Sequence, residues 1–186
     1  MDGTWSIDSV CTGGDLTAAL NDAMTSGTGQ PVPAACDNIF QSASLTGSGT
    51  VTFANGNETD SIATTLTASL LYSAACESAF AGTTVTLTAS ACSTLQTSLT
   101  TPTSTTVAFT TAVCSLSGGN CACNVTRQEQ SPTTPQSYTV SGGTITYTGA
   151  NGGSMQYCVS GTTLTAEGSV AGWSVATMTY TAHKTS

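Results

Sequence analysis

The residues best equipped for chemistry in this chain are its eight cysteines: Cys11, Cys36, Cys76, Cys92, Cys114, Cys121, Cys123 and Cys158. Thiolates hold zinc when they come as paired C-x-x-C knuckles, usually with histidines. Cys121-Ala122-Cys123 has the wrong spacing, and the chain has one histidine, so no metal site is expected. An even count points instead to four disulfides, which form and persist outside the cytosol. The favoured local pairs are Cys11 with Cys36 and Cys76 with Cys92, each closing a loop that stabilises by about 3 kcal/mol in the chain-entropy description. Strand parity turns Cys158 outward, opposite Tyr157, toward Cys123, which leaves Cys114 with Cys121.

Nucleophilic catalysis needs a base beside the nucleophile. Every Ser-His or Cys-His scheme here must use His183, three residues from the end, in a tail expected to fray. Ten carboxylates are present, but nothing in their spacing singles out an acid/base pair. Phosphate loops, dinucleotide fingerprints and zinc-protease helices are absent, and no Asp-rich calcium loop accompanies Asp15, Asp22 or Asp37. The expectation is a protein that is not an enzyme and needs no cofactor. Asn57-Glu58-Thr59 and Asn124-Val125-Thr126 are glycosylation acceptors only in a glycosylating host.

The charge balance narrows the partners. One Lys and one Arg stand against ten acidic residues, for a formal charge of −8. Binding phosphate backbones or anionic headgroups takes several cations at once, so nucleic acid and anionic membranes are poor partners. No apolar stretch is long enough for a membrane helix. Charged residues are 6% of the chain, and Ser and Thr, about a third of it, must supply the solubility. The chain reads as the mature part of a secreted, cell-surface or periplasmic protein.

Strands must position these residues. Period-two alternation sets apolar residues against Thr and Ser along most of the chain. Val85, Leu87 and Ala89 oppose Thr84, Thr86 and Thr88; Ile62, Leu66, Ala68, Leu70 and Tyr72 oppose Thr65, Thr67 and Ser69; Val107, Phe109 and Val113 oppose Ala108, Thr110 and Ala112. Asn55-Gly56 marks a tight hairpin after residues 50–54. Tyr138-Thr139-Val140-Ser141-Gly142-Gly143-Thr144-Ile145-Thr146 recurs as Tyr157-Cys158-Val159-Ser160-Gly161-Thr162-Thr163-Leu164-Thr165, two strand–turn–strand copies linked by Asn151-Gly152-Gly153. A last strand runs over 173–182. Residues 15–24 break the pattern: Leu16, Ala19, Leu20, Ala23 and Met24 follow helical spacing, with Asp15 as N-cap and Gly27 past the end. The Pro-containing loops 29–33 and 131–135 do not read as linkers, so residues 1–186 form one disulfide-bonded β domain.

Gly3-Thr4-Trp5 on the first strand, the helical excursion and the long meander resemble the lipocalin-like (calycin-like) barrels, and the repeated hairpins resemble those of small secreted bacterial lipocalin-like proteins. The resemblance implies an all-β fold: an antiparallel up-and-down meander closed into a barrel of about 8–10 strands, with one short N-terminal helix. It also implies a small apolar ligand inside. Trp5, Phe53, Leu66, Leu87, Phe109, Tyr147 and Tyr157 are the expected lining, Trp5 the fluorescent reporter, and Leu87→Trp the change that fills the cavity. The alternative is an extracellular structural or adhesive module that uses the outer hydroxyl face and encloses nothing. Oligomeric state is not legible.

Overall fold

The computed structural model describes residues 1–27, 32–102, 108–130, 134–148, 153–169 and 177–185. In chain order the elements are β1 (Gly3–Thr12), α1 (Leu16–Gly27), a 3-10 turn (Ala34–Cys36), β2 (Phe40–Ala54), β3 (Asn57–Tyr72), α2 (Ala74–Ala81), α3 (Ala89–Thr100), β4 (Thr111–Ser117), β5 (Asn120–Gln130), β6 (Gln136–Ser141), β7 (Thr144–Thr148), β8 (Ser154–Ser160), β9 (Thr163–Ser169) and β10 (Thr177–Lys184). They form two compact units, one of Met1–Gly14, Leu45–Thr65 and Glu129–Ser186, the other of Asp15–Ser44 and Leu66–Gln128.

The first unit is a ring of eight strands in the order β2-β1-β10-β9-β8-β7-β6-β3, with β3 returning to β2. Turn chemistry closes its hairpins. Asn55 and Gly56 both take positive φ, 53° and 73°, the backbone a two-residue hairpin turn needs, and they join β2 to β3 as their dipeptide predicts. Gly142 and Gly143 turn β6 into β7 at φ 58° and 80°, and Gly161 turns β8 into β9 at 62°. The two near-repeat copies are therefore two hairpins. The predicted link between them lies mostly in 149–152, outside the described residues, as do 170–176 at the start of the predicted last strand.

Alternation then sorts the faces. Trp5, Ile7, Val51, Phe53, Ile145, Leu164 and Ala182 make the buried cluster of this unit. Outward hydroxyls bond each other across strands, Ser9 to Thr181 at 2.6 Å and Thr4 to Thr52 at 3.1 Å. A bulge between Ile7 and Ser9 restores inward parity to Val10.

In the second unit β3, β5 and β4 lie side by side. The Asp15 carboxylate caps α1 by accepting from the amides of Thr17 and Ala18, at 2.9 and 3.2 Å. Leu16 and Leu20 point inward from it as the spacing predicts. The single expected helix becomes three. Ser73 caps α2 by accepting from the Cys76 amide, and Gly82 ends it at φ 67°. Residues 83–88, expected as strand, are irregular backbone leading to Thr88, which caps α3 through the Ala91 amide. The Thr-rich alternation stops at the cap of α3, a helix that tolerates hydroxyls of its own. Ser93, Thr94, Thr97 and Ser98 each donate to the carbonyl four residues back. At 112–113 the expected parity is reversed: Ala112 is buried and Val113 is 68% exposed, while Val107 lies outside the described residues.

The disulfides differ from all four expected pairs. Cys36 bonds Cys76, Cys92 bonds Cys121 and Cys114 bonds Cys123. Local loop length is a poor guide because the two unforeseen helices carry Cys76 and Cys92. Cys114 and Cys123 are direct partners in the β4–β5 ladder, with Cα atoms 4.0 Å apart. Cys11 and Cys158, expected to be bridged, are exposed free thiols on β1 and β8. β10 and β9 lie between those strands, so in-sheet spacing puts them about 14 Å apart, beyond the reach of a disulfide.

Candidate ligand site on the inward face of the ring

Inward positions of the ring are mostly apolar, and the hairpin repeats set which side chains arrive there. Tyr138 on β6 stands directly opposite Tyr147 on β7, and Tyr157 on β8 opposite Ala166 on β9, itself opposite Tyr180 on β10. The four tyrosines border the buried cluster, and the Tyr138 ring meets Phe53 edge-on with centroids 5.4 Å apart. Trp5 is almost fully buried, its indole Nε1 donating to the Met1 carbonyl at 3.2 Å. Lys184, its register partner on β10, lies over the indole with Nζ 5.9 Å from the ring centroid.

One charged residue sits among them. Glu58 on β3 is 8% exposed, and burial pushes its carboxyl up to about 7. Tyr147 opposes that rise in part, and the neighbouring acid Asp60, two residues along the same strand face, adds to it. No Lys, Arg or His is paired with Glu58 among the described residues. The Tyr147 hydroxyl turns toward this carboxylate, yet its oxygen is buried without a hydrogen-bond partner of ordinary geometry. Burial and then the field of Glu58 push the hydroxyls of Tyr147 and Tyr180 upward; for Tyr138 burial and Asp2 come before Glu58.

The apolar face continues to the ends of the hairpins. Val140 is opposite the buried Ile145 and Val159 opposite the buried Leu164, so both valines face inward. They are nonetheless 44% and 40% exposed. Inward apolar residues open to solvent at neighbouring turns give the ring an accessible apolar rim.

Of the expected lining residues, Trp5, Phe53, Tyr147 and Tyr157 come together here. Leu66, Leu87 and Phe109 belong to the second unit, where Leu87 packs on Cys92 and Cys121, so Leu87→Trp cannot fill the ring. Tyr138, Tyr180, Glu58 and Asp60 were missed. The available signal was parity: Glu58 and Asp60 fall in step with Ile62 and Leu66, charges written into the apolar phase of a strand.

No family model, curated protein or solved structure matches the chain at a significant level. His183 is not in a frayed tail but on β10, where its Nδ1 lies 2.6 Å from Oδ1 of Asp8 at the β1 bulge, both side chains about half exposed. No group of three or more His, Cys, Asp or Glu side chains that could hold a metal ion occurs among the described residues. No helix there is long and apolar enough to cross a membrane.

Proposed function

We propose that this chain is a secreted lipocalin-like binding protein, not an enzyme, whose ring of strands closes as a barrel around a small molecule with an apolar body. The observation that carries the proposal is the inward face itself. A buried aromatic and aliphatic cluster is bordered by four tyrosines and one carboxylate, and its rim includes exposed inward valines. Ligand sites in proteins combine apolar walls with a few placed polar groups, and small closed barrels are one setting for them. Three disulfides support an oxidising compartment such as the periplasm or the extracellular space. Two basic residues in the whole chain argue against nucleic acid as partner.

A structural or adhesive module is the competing role, prompted by the outward hydroxyls. Several of these hydroxyls are already engaged with one another across strands, as in Ser9–Thr181 and Thr4–Thr52, which leaves them fewer bonds to offer a partner. The test is titration with a neutral apolar dye, read through Trp5 in a Trp173→Phe background; Trp173 lies outside the described residues. Saturable binding with Kd below about 100 μM, roughly 5.5 kcal/mol, supports the carrier, and none up to that concentration returns the protein to the surface-module role.

A further inference from the structure

We infer that the ring takes a ligand carrying a positively charged nitrogen on its apolar body, with Glu58 as counter-charge and the rings of Tyr138, Tyr147 and Tyr180 as its walls; this rests on the carrier function proposed above. Glu58 is one of the least exposed polar residues of the chain, yet it has no basic partner among the described residues. Buried carboxylates are ordinarily paired or fully hydrogen-bonded, because an uncompensated charge is costly away from water. The ring's own cation is committed elsewhere, since the Lys184 ammonium lies over Trp5.

A second observation lies beside it. The Tyr147 hydroxyl oxygen is buried and turns toward Glu58 without closing a hydrogen bond of ordinary geometry, an arrangement uncommon enough in folded proteins to require a cause. A hydroxyl can accept a bond from an N–H as readily as it donates one, so an ammonium group placed here would engage the carboxylate and the hydroxyl together. The surroundings select the sign of charge. Asp60 follows Glu58 on the same strand face, so a carboxylate ligand would meet like charge. Tyrosine faces attract cations through the ring quadrupole, and organic ammonium groups are held in aromatic cages of this composition. The neighbouring Phe53 and Ile145 suit an organic cation rather than a hydrated metal ion.

Three ligands with one alkyl chain test this by calorimetry, below the micelle concentrations of the two ionic ones: dodecylammonium, dodecanol and dodecanoate. The cation should bind at least about tenfold tighter than the alcohol, and the anion about tenfold weaker than the alcohol. Glu58→Gln should bring the cation to within about threefold of the alcohol measured on the same variant. Should that variant fail to fold, the ranking of the three ligands on the unaltered protein decides alone. Equal binding of cation and alcohol overturns the inference and leaves the carrier function standing. Absence of binding by all three removes the carrier function and this inference with it.

Discussion

Glu58 and Tyr147 face each other inside the strand ring, a carboxylate 8% exposed and a buried hydroxyl that closes no hydrogen bond of ordinary geometry. Their meeting ties stability to pH. The carboxyl ionises near 4.5 when the chain is unfolded and near 7 when folded, mainly because burial removes it from water. A raised carboxyl favours the folded state while protonated, so its contribution is complete below the unfolded value and is lost as pH rises through about 7. The shift corresponds to about 3 kcal/mol across that window. Asp60 on β3, Tyr138 on β6, Tyr147 on β7 and Tyr180 on β10 are the titratable groups that face it. Urea unfolding at about pH 4 and about pH 8 should show Glu58→Gln matching the parent at the lower pH and exceeding it at the higher. Equal pH slopes in the two proteins would contradict a buried Glu58.

The cysteines give a prediction of chemistry rather than energy. Alkylation of the denatured, unreduced protein should label Cys11 and Cys158, and peptide mapping should find the Cys36–Cys76, Cys92–Cys121 and Cys114–Cys123 links. Losing Cys36–Cys76 or Cys92–Cys121, which close loops of 40 and 29 residues, should each cost roughly 3–4 kcal/mol in the chain-entropy description. A mass corresponding to four bridges would overturn this connectivity.

Closure of the ring depends on Gly49. Its φ is 136°, and a Cβ there would sit 2.0 Å from the carbonyl oxygen of Ser61 and 2.9 Å from the Cα of Ile62. Backbone cannot retreat as a side-chain tip can, so Gly49→Ala should destabilise by about 2–3 kcal/mol or prevent folding. Gly56→Ala meets no neighbouring atom within 4 Å and pays only for its positive φ of 73°, so it should cost about 1 kcal/mol. Equal melting temperatures for the two variants would argue against the close approach of β2 to β3.

Much of the ring was legible because strand parity and turn chemistry are local. Asn55-Gly56, Gly142-Gly143 and Gly161 fixed hairpins that the near-repeat had already delimited. Asp15 likewise announced α1. The second unit was hidden for a physical reason: Thr and Ser serve equally on a solvated strand and in a helix where hydroxyls bond back to carbonyls, as Ser93 and Thr97 do. Ser73 before Cys76 and Glu77, with Gly82 after, was a readable start and stop for α2. Disulfide pairing could not be read, because it depends on where those helices dock their cysteines. Glu58 was readable as a charge in the apolar phase, but its tyrosine surroundings come from strands at least 78 residues away in sequence.

His183 offers a check on the non-enzymatic proposal. Its contact with Asp8 is half exposed, and such pairs contribute about 1 kcal/mol or less. His183→Ala and Asp8→Ala should leave ligand affinity within about threefold of the parent and stability within about 1 kcal/mol. A tenfold loss of any turnover on His183→Ala, with the fold intact, would make the protein an enzyme.

The central claim is that a small ligand occupies the inward face of the ring, and nuclear magnetic resonance mapping with a neutral apolar probe tests it most directly. Aromatic signals of Tyr138, Tyr147, Tyr157 and Tyr180 and methyl signals of Ile145 and Leu164 should shift together and saturate with one affinity. Shifts confined to outward residues such as Thr139, Thr146 and Thr165, with the tyrosines unmoved, would contradict an enclosed ligand and assign the function to the surface.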